Sequence, residues 1–289
     1  MEKLHKDSKI TLNNGIQIPV IGFGVFRIAD GDEVERSVLC ALKAGYRHID
    51  AALIYKNEKG VGKAIQESGI TREELFITTK LWNSDQGYEN ALKAIDVSLQ
   101  NLGLSYIDLY LIHWPTASED LNESMDKREE TWKAMEEIYK SGKVKAIGVS
   151  NFTITHLEEM KKYATVLPIV NQVEFHPFLY QKELLAYCKK HNIVVEAHSP
   201  LAPIADEKSI PYRNDTIDVI AQKYGKSGAQ LLIRWSIQHG IIPLPKSTHE
   251  ERILENINVF DFTIKDEDME KLNSMNINLH VRRDPTNLK

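Results

Sequence analysis

Four polar residues, each at or just past a run of strand-forming residues, are the part of this sequence best suited to chemistry. Asp50 sits in the strand-like segment 48–52 and Tyr55 follows it, Lys80 closes 76–79, and His113 closes 107–112. Where strands alternate with helices, the C-terminal strand ends gather on one face of a barrel, and active sites are built there. A carboxylate, a phenol, an ammonium and an imidazole brought to that face by three successive strands form a proton-handling set. Each has an ordinary reading when taken alone. Asp50 and Lys80 could form a structural ion pair, Tyr55 could be a helix-flanking surface aromatic, and His113, before Trp114-Pro115, a capped core histidine. Together, at consecutive strand ends, they point to an enzyme, because barrels draw catalytic groups from several strands.

The elements that must position these residues alternate almost without interruption. Strand-like runs fall at 20–24, 48–52, 75–80, 107–113, 144–150, 169–175, 193–197 and 241–245. Helical patterns fall between them at 32–44, 88–102, 128–140, 155–163 and 181–191. In 88–102, Ala91, Leu92, Ile95, Leu99 and Leu102 recur at helical spacing. Gly45, Gly103 and Gly142 follow helices, where a left-handed C-cap is expected. Eight such βα units predict a closed (β/α)8 TIM barrel, with 1–289 as a single domain. Asn13-Asn14-Gly15 between short alternating runs predicts a β-hairpin ahead of the barrel. Two helical segments, 215–224 and 227–239, precede the eighth strand, and another, 265–273, precedes a polar tail, so two helices are extra.

Composition narrows the partners. The chain has 289 residues, 42% hydrophobic and 27% charged, with a formal net charge of −5. The basic footprint of a duplex nucleic-acid binder is missing. No run approaches the length of a membrane span, and the charged residues 1–9 contain no secretory apolar region. Cys40 and Cys188 fall within helical patterns. Free thiols and a reducing cytoplasm are therefore expected.

Gly22-Phe23-Gly24 hints at a dinucleotide fingerprint, but Arg27 occupies the place of the third glycine and no helix opens there. A nicotinamide cofactor would have to bind by another route.

The segments Gly45-Tyr-Arg-His-Ile-Asp-Ala-Ala-Leu-Ile-Tyr55 and Asp108-Leu-Tyr-Leu-Ile-His-Trp-Pro115 resemble signatures of the aldo-keto reductases. So do Gly148-Val-Ser-Asn-Phe152 and Leu244-Pro-Lys-Ser247 with Arg252 and Asn256. The resemblance covers about residues 10–262. Through 79–88 it is similar to microbial prostaglandin F synthase-like and 2,5-diketo-D-gluconate reductase-like members. It implies a monomeric barrel that binds NADPH or NADP⁺ extended across its C-terminal face and reduces small-molecule carbonyls. By this resemblance, Asp50, Tyr55, Lys80 and His113 are the catalytic set. Ser150, Asn151 and Gln172 hold the nicotinamide carboxamide, His198 takes the position against the ring, and Ser199 and Leu201 fall on the loop over the pyrophosphate. Lys246, Ser247 and Arg252 clamp the 2′-phosphate, with Glu255 and Asn256 at the adenine. Phe26, Trp82 and Trp114 form apolar walls for the substrate. Lysine, hydroxyl and arginine beside a helix start are also a physically reasonable phosphate site.

Carbonyl reduction needs a hydride at carbon and a proton at oxygen. A free phenol has a pKa of about 10. An ammonium about 4 Å away, at an effective dielectric near 20, would favour phenolate by roughly 4 kcal/mol. That would bring Tyr55 toward about 7, with Asp50 cancelling part of the shift. His113 would donate to the substrate carbonyl.

Ala51 replaces a usual threonine, and Val25-Phe26 replaces Thr-Trp. His198 stands where an aromatic ring is common. An unperturbed histidine there would charge below about 6.5 and repel an oxidised nicotinamide as pH falls.

Two other readings use the same residues. A metal-dependent barrel hydrolase could recruit His48, Asp50, Lys80, His113, His176 and His198, and a non-catalytic module could bind the nicotinamide as a redox signal. The catalytic set itself speaks against the second, and no metal is expected. Substrate choice is expected to lie in 116–127, 201–214 and the tail 276–289, none of which shows a pattern that defines a pocket.

Overall fold

The computed structural model describes residues 4–118, 127–202 and 215–288. An antiparallel hairpin, β1 (Lys9–Thr11) with β2 (Gln17–Pro19), comes first. The barrel strands follow as β3 (Phe23–Gly24), β4 (His48–Asp50), β5 (Phe76–Leu81) and β6 (Leu109–Ile112). They continue as β7 (Ile147–Ser150), β8 (Val170–Glu174), β9 (Val194–His198) and β10 (Ile242–Pro243). All neighbours pair in parallel and in sequence order. The backbone N–H groups of Gly22 and Gly24 donate to the carbonyls of Pro243 and Pro245, both at 3.1 Å, and close the barrel between β3 and β10. The expected eight-stranded barrel is therefore present.

Gly22 and Gly24 owe their identity to this seam. A Cβ on Gly22 would stand 2.6 Å from both His48 Nδ1 and Leu244 Cδ2, and one on Gly24 would stand 3.2 Å from the Leu244 carbonyl. The paired glycines therefore answer to strand packing, and no phosphate loop is needed to explain them.

Helices α1 (Asp32–Ala44), α3 (Tyr88–Leu102) and α4 (Arg128–Lys140) run over their expected bounds. Gly45, at φ 112°, ends α1 in the left-handed region that glycine tolerates best. Helix α2 (Glu58–Glu67) lies between β4 and β5, outside the helical patterns named from the sequence. Helix α5 (Ile154–Met160) is shorter than expected and starts at a Thr153–His156 capping box. Then come α6 (Lys182–Lys190), α7 (Asp215–Lys223), α8 (Gly228–Gln238), α9 (Glu250–Ile257) and α10 (Asp266–Asn273). One of α7 and α8, together with α10, supplies the two extra helices.

The hairpin covers the N-terminal mouth. Leu12 and Ile18 pack with Phe76, Leu109, Val170 and Ile242, and the Asn14 amide donates to the Lys145 carbonyl at 3.0 Å. With that end covered, the chemistry-bearing residues lie at the other one.

Candidate active site

Asp50 is the last residue of β4, and Tyr55 ends the 3-10 turn Leu53–Tyr55 that follows it. Lys80 is the next-to-last residue of β5, and His113 follows β6 with its backbone N–H donating to the Leu81 carbonyl at 3.0 Å. The structure therefore brings all four together. The wholly buried Lys80 donates from Nζ to Asp50 Oδ1 at 2.6 Å, to the Ala51 carbonyl at 2.9 Å and to the Tyr55 hydroxyl at 3.4 Å. Burial by itself would depress the lysine, but Asp50 and then Tyr55 outweigh it and hold the ammonium above its ordinary range.

Tyr55 departs from the expected downward shift, which weighed Lys80 against Asp50 and did not count burial. Its pKa is raised, chiefly by burial and further by Asp50, against the opposing pull of Lys80. The correction is one of direction: desolvating a phenolate costs more than an ammonium already shared with Asp50 returns. The phenol therefore keeps its proton at neutral pH.

The rings of Tyr55 and His113 meet edge to face at 5.6 Å, as do those of Trp82 and His113 at 5.2 Å. Phe26, 39% exposed, lies 5.0 Å from the Tyr55 ring. Trp114 is half-buried beside His113, but among the described residues its ring makes no aromatic contact, and only its carbonyl is engaged, by Gln86. Burial, Lys80 and His198 push His113 well below the ordinary histidine range, so its ring is neutral. Its Nδ1 is buried without a hydrogen-bond partner.

The residues expected at a nicotinamide line β7, β8 and β9. Ser150 donates to the Gln172 carbonyl at 2.8 Å, and the Asn151 amide, on a left-handed backbone (φ 63°), donates to the His113 carbonyl at 2.9 Å. Gln172 gives both amide hydrogens away, to Asp50 Oδ2 at 2.8 Å and Glu196 Oε2 at 2.9 Å, which leaves its carbonyl oxygen as the group it can still offer. His198 Nε2 pairs with Asn151 Oδ1 at 2.8 Å, and Ser199, also left-handed, stands 3.4 Å from His198 Nδ1. The expected titration of His198 does not survive: burial, with Lys80 and Arg282 adding to it against Glu174, lowers it to about 4. Leu201 packs partly against the core.

Ser247 is buried ahead of α9, Asn256 is buried within it, and Glu255 is half-buried. Lys246 and Arg252 are exposed, and neither makes an ion pair with the described residues. Burial and the nearby Arg27 lower Lys246 against the pull of Glu33. Two unpaired cations at a helix start suit a phosphate.

One part of the site was missed in the sequence: Glu196 stands wholly buried in the middle of β9, where the one visible signal was an acid inside the apolar run 193–197. The tail 276–289, expected to bear on substrate choice, packs against β8. Glu174 accepts from the backbone N–H of Val281 at 2.7 Å and of Arg282 at 3.0 Å, and the Phe178 carbonyl accepts from Ile277 and Leu279. Arg282 Nε donates to Ser199 at 3.2 Å, and its guanidinium lies 5.2 Å from the centroid of the Phe26 ring. The tail thus reaches the rim of the site. Of the other two expected specificity segments, 119–126 and 203–214 lie outside the described residues. A cavity of about 530 Å³ opens at the opposite end, between the hairpin, α6 and the start of β9, and none of the candidate residues lines it. Among the described residues no group of three or more His, Cys, Asp or Glu could hold a metal. His48 pairs instead with Thr78, and His176 with Glu174.

The model of the Aldo/keto reductase family matches residues 20–277. The chain is 50% identical to a glyoxal reductase from Bacillus subtilis, covering 96% of each chain. It is 49% identical to a 9,11-endoperoxide prostaglandin H2 reductase from Trypanosoma cruzi, covering 96% of this chain and 95% of that one. Among solved structures, an aldo-keto reductase from Bombyx mori in complex with NADP superposes with a TM-score of 0.89 at 38% identity, over 97% of this chain and 96% of that one.

Proposed function

The chain belongs to the aldo/keto reductase family, and from that premise we propose that it is an NADPH-dependent reductase of aldehydes and ketones, dicarbonyls included, with Tyr55 as the proton donor. The observation that carries this reading is the Lys80 ammonium, bound at once to Asp50 and to the Tyr55 hydroxyl. The reading takes 1–289 as one barrel domain acting on a small molecule.

The nicotinamide, when bound, supplies the hydride. Lys246, Ser247 and Arg252 would hold the 2′-phosphate, and the open carbonyl oxygen of Gln172, with the remaining lone pairs of Ser150 and Asn151, would orient the carboxamide. The chain's own residues do the rest. Neutral His113 offers an imidazole N–H to the carbonyl oxygen and aims it at the Tyr55 hydroxyl. Tyr55, protonated at working pH, gives its proton to the oxygen as negative charge develops there. Lys80 then stabilises the phenolate left behind, and Asp50 keeps Lys80 in place. Phe26 and Trp82 flank the reacting oxygen with apolar rings, which keeps water out and strengthens each of these interactions. The relatives named for glyoxal and for a prostaglandin endoperoxide make a small dicarbonyl the first substrate to try and an endoperoxide the second.

Tyr55→Phe removes only the phenolic hydroxyl. The expected result is a loss of roughly 10²-fold to 10⁴-fold in methylglyoxal reduction, with NADPH affinity by fluorescence titration unchanged. A variant that keeps more than a tenth of the single-turnover rate would remove Tyr55 from the role.

A further inference from the structure

The floor of the site holds a carboxyl that the chemistry above does not use. Glu196 is wholly enclosed in β9. Gln172 donates one amide hydrogen to Glu196 Oε2 at 2.9 Å and the other to Asp50 Oδ2 at 2.8 Å. Asp50 receives Lys80 on its other oxygen at 2.6 Å, and Lys80 reaches the Tyr55 hydroxyl at 3.4 Å. Glu196, Gln172, Asp50, Lys80 and Tyr55 therefore form an unbroken series of hydrogen bonds across β9, β8, β4 and β5. The remaining Glu196 oxygen, Oε1, is buried without a partner, 3.8 Å from His48 Nε2.

We propose that Glu196 is a positioning residue for carbonyl reduction, which acts through Gln172 to fix Asp50 and thereby keep the Lys80 ammonium against the Tyr55 hydroxyl. The proposal rests on the reading of Tyr55 as proton donor. Gln172 can clamp Asp50 only if its second N–H has somewhere to go, and in this floor that acceptor is Glu196. Without it the amide carries a buried unsatisfied donor and gains by rotating, which frees Asp50 Oδ2.

The charge state of Glu196 matters as well as its shape. The ionisable groups around it are His48 and Asp50 on β4 and Lys80 on β5, with Gln172 as the polar neighbour on β8 and Ile242 beside it on β10. Burial and then Asp50 raise Glu196 to about 8, against Gln172 and Lys80. Burial and Lys80 lower His48 to about 3. At neutral pH Glu196 therefore carries a proton and His48 does not, so Asp50 is the one negative charge answering Lys80. Above about pH 8 Glu196 becomes a second one. It then holds the Lys80 charge more tightly to the floor and makes the phenolate left by Tyr55 harder to form.

Two variants of the full-length enzyme test this, with pre-steady-state NADPH oxidation by methylglyoxal followed from pH 6 to 10 so that product release does not mask the step. Glu196→Gln keeps an acceptor for Gln172 but cannot ionise. It should stay within about threefold of wild type at pH 7, and its alkaline fall should begin on the order of one pH unit higher. Glu196→Leu removes the acceptor. It should lose roughly tenfold or more in rate at pH 7, the worth of one buried hydrogen bond, with the NADPH dissociation constant unchanged. A merely structural carboxyl would lower the melting temperature of both variants and leave the alkaline limb where it is in wild type. That unmoved limb in Glu196→Gln overturns the proposal, and so does a Glu196→Leu rate within twofold of wild type. If Glu196→Leu does not fold, the pH profile of Glu196→Gln decides alone. Tyr55→Phe is run alongside. Wild-type behaviour of the Glu196 variants beside an inactive Tyr55→Phe sinks only the Glu196 proposal, whereas an active Tyr55→Phe sinks the reading of Tyr55.

Discussion

Lys80→Met should slow carbonyl reduction by roughly 10²-fold, and the loss should be partly reversed by adding Asp50→Asn. At an effective dielectric near 20, an ammonium 3.4 Å from the phenolic oxygen favours phenolate by about 5 kcal/mol. Asp50 Oδ1 can lie no farther from that oxygen than the 2.6 Å and 3.4 Å contacts laid end to end, about 6 Å. It therefore takes back at least about 3 kcal/mol, and the pair together is worth no more than about 2 kcal/mol to the phenolate. That surplus is smaller than the burial cost, in agreement with the raised pKa of Tyr55. Removing Lys80 alone withdraws the full 5 kcal/mol and leaves Asp50 opposing the proton's departure. If half of it is felt in the transition state, the rate falls by close to 10². Asp50 is also left buried without its cation, which should cost about 3–5 kcal/mol of stability. The double variant removes both charges, so the penalty on the phenolate shrinks to the surplus. It should regain roughly tenfold in rate along with most of the lost stability. The assay is single-turnover NADPH oxidation by methylglyoxal, with chemical denaturation in parallel. A double variant as stable as wild type but no faster than Lys80→Met would refute the reasoning. Lys80 would then act by direct contact with the phenol and not through its field.

Arg252→Ala should weaken NADPH by roughly 10-fold to 10²-fold, the worth of a charge-assisted hydrogen bond, and leave NADH almost untouched. Equal losses in fluorescence titrations of the two would make Arg252 structural. For His198, the ratio of NADP⁺ to NADPH dissociation constants should follow the same curve in wild type and His198→Trp from pH 8 to 5.5, since the ring charges only near 4. A divergence between the two proteins near pH 6.5 would show that the burial argument is wrong. The same depressed value makes His198 a source of acid lability. The native ring binds fewer protons than the unfolded chain between about 6.5 and 4, so it withdraws up to about 1.4 kcal/mol of stability per unit as pH falls through that window. Urea denaturation at pH 7 and 5 should show a smaller acid loss in His198→Trp, and an identical loss would exclude the histidine.

The barrel was legible because its signals repeat. Apolar runs such as 107–113 and 169–175 alternate with helical patterns, and the glycine that ends α1 takes the φ of 112° expected of it. Helix α2 could be read least well, because Gly60 and Gly62 on its buried side blur a helical pattern. The candidate residues were legible as a set because their spacing ties each one to a strand end. Their electrostatics were not, since a pKa depends on every group nearby in space and on how much water remains. Lys80, even with Asp50 set against it, predicts a more acidic phenol, yet the enclosing walls turn the shift upward. His198 looks like a switch at physiological pH until the burial around it is known. Glu196 shows the same limit from the other direction. In sequence it is one acid in an apolar run, and its importance follows from Gln172, 24 positions earlier, having two hydrogens, of which Asp50 takes one and Glu196 the other. Contacts of that kind are set by strand register, here Gln172 opposite Glu196. Register becomes visible only when the barrel is closed.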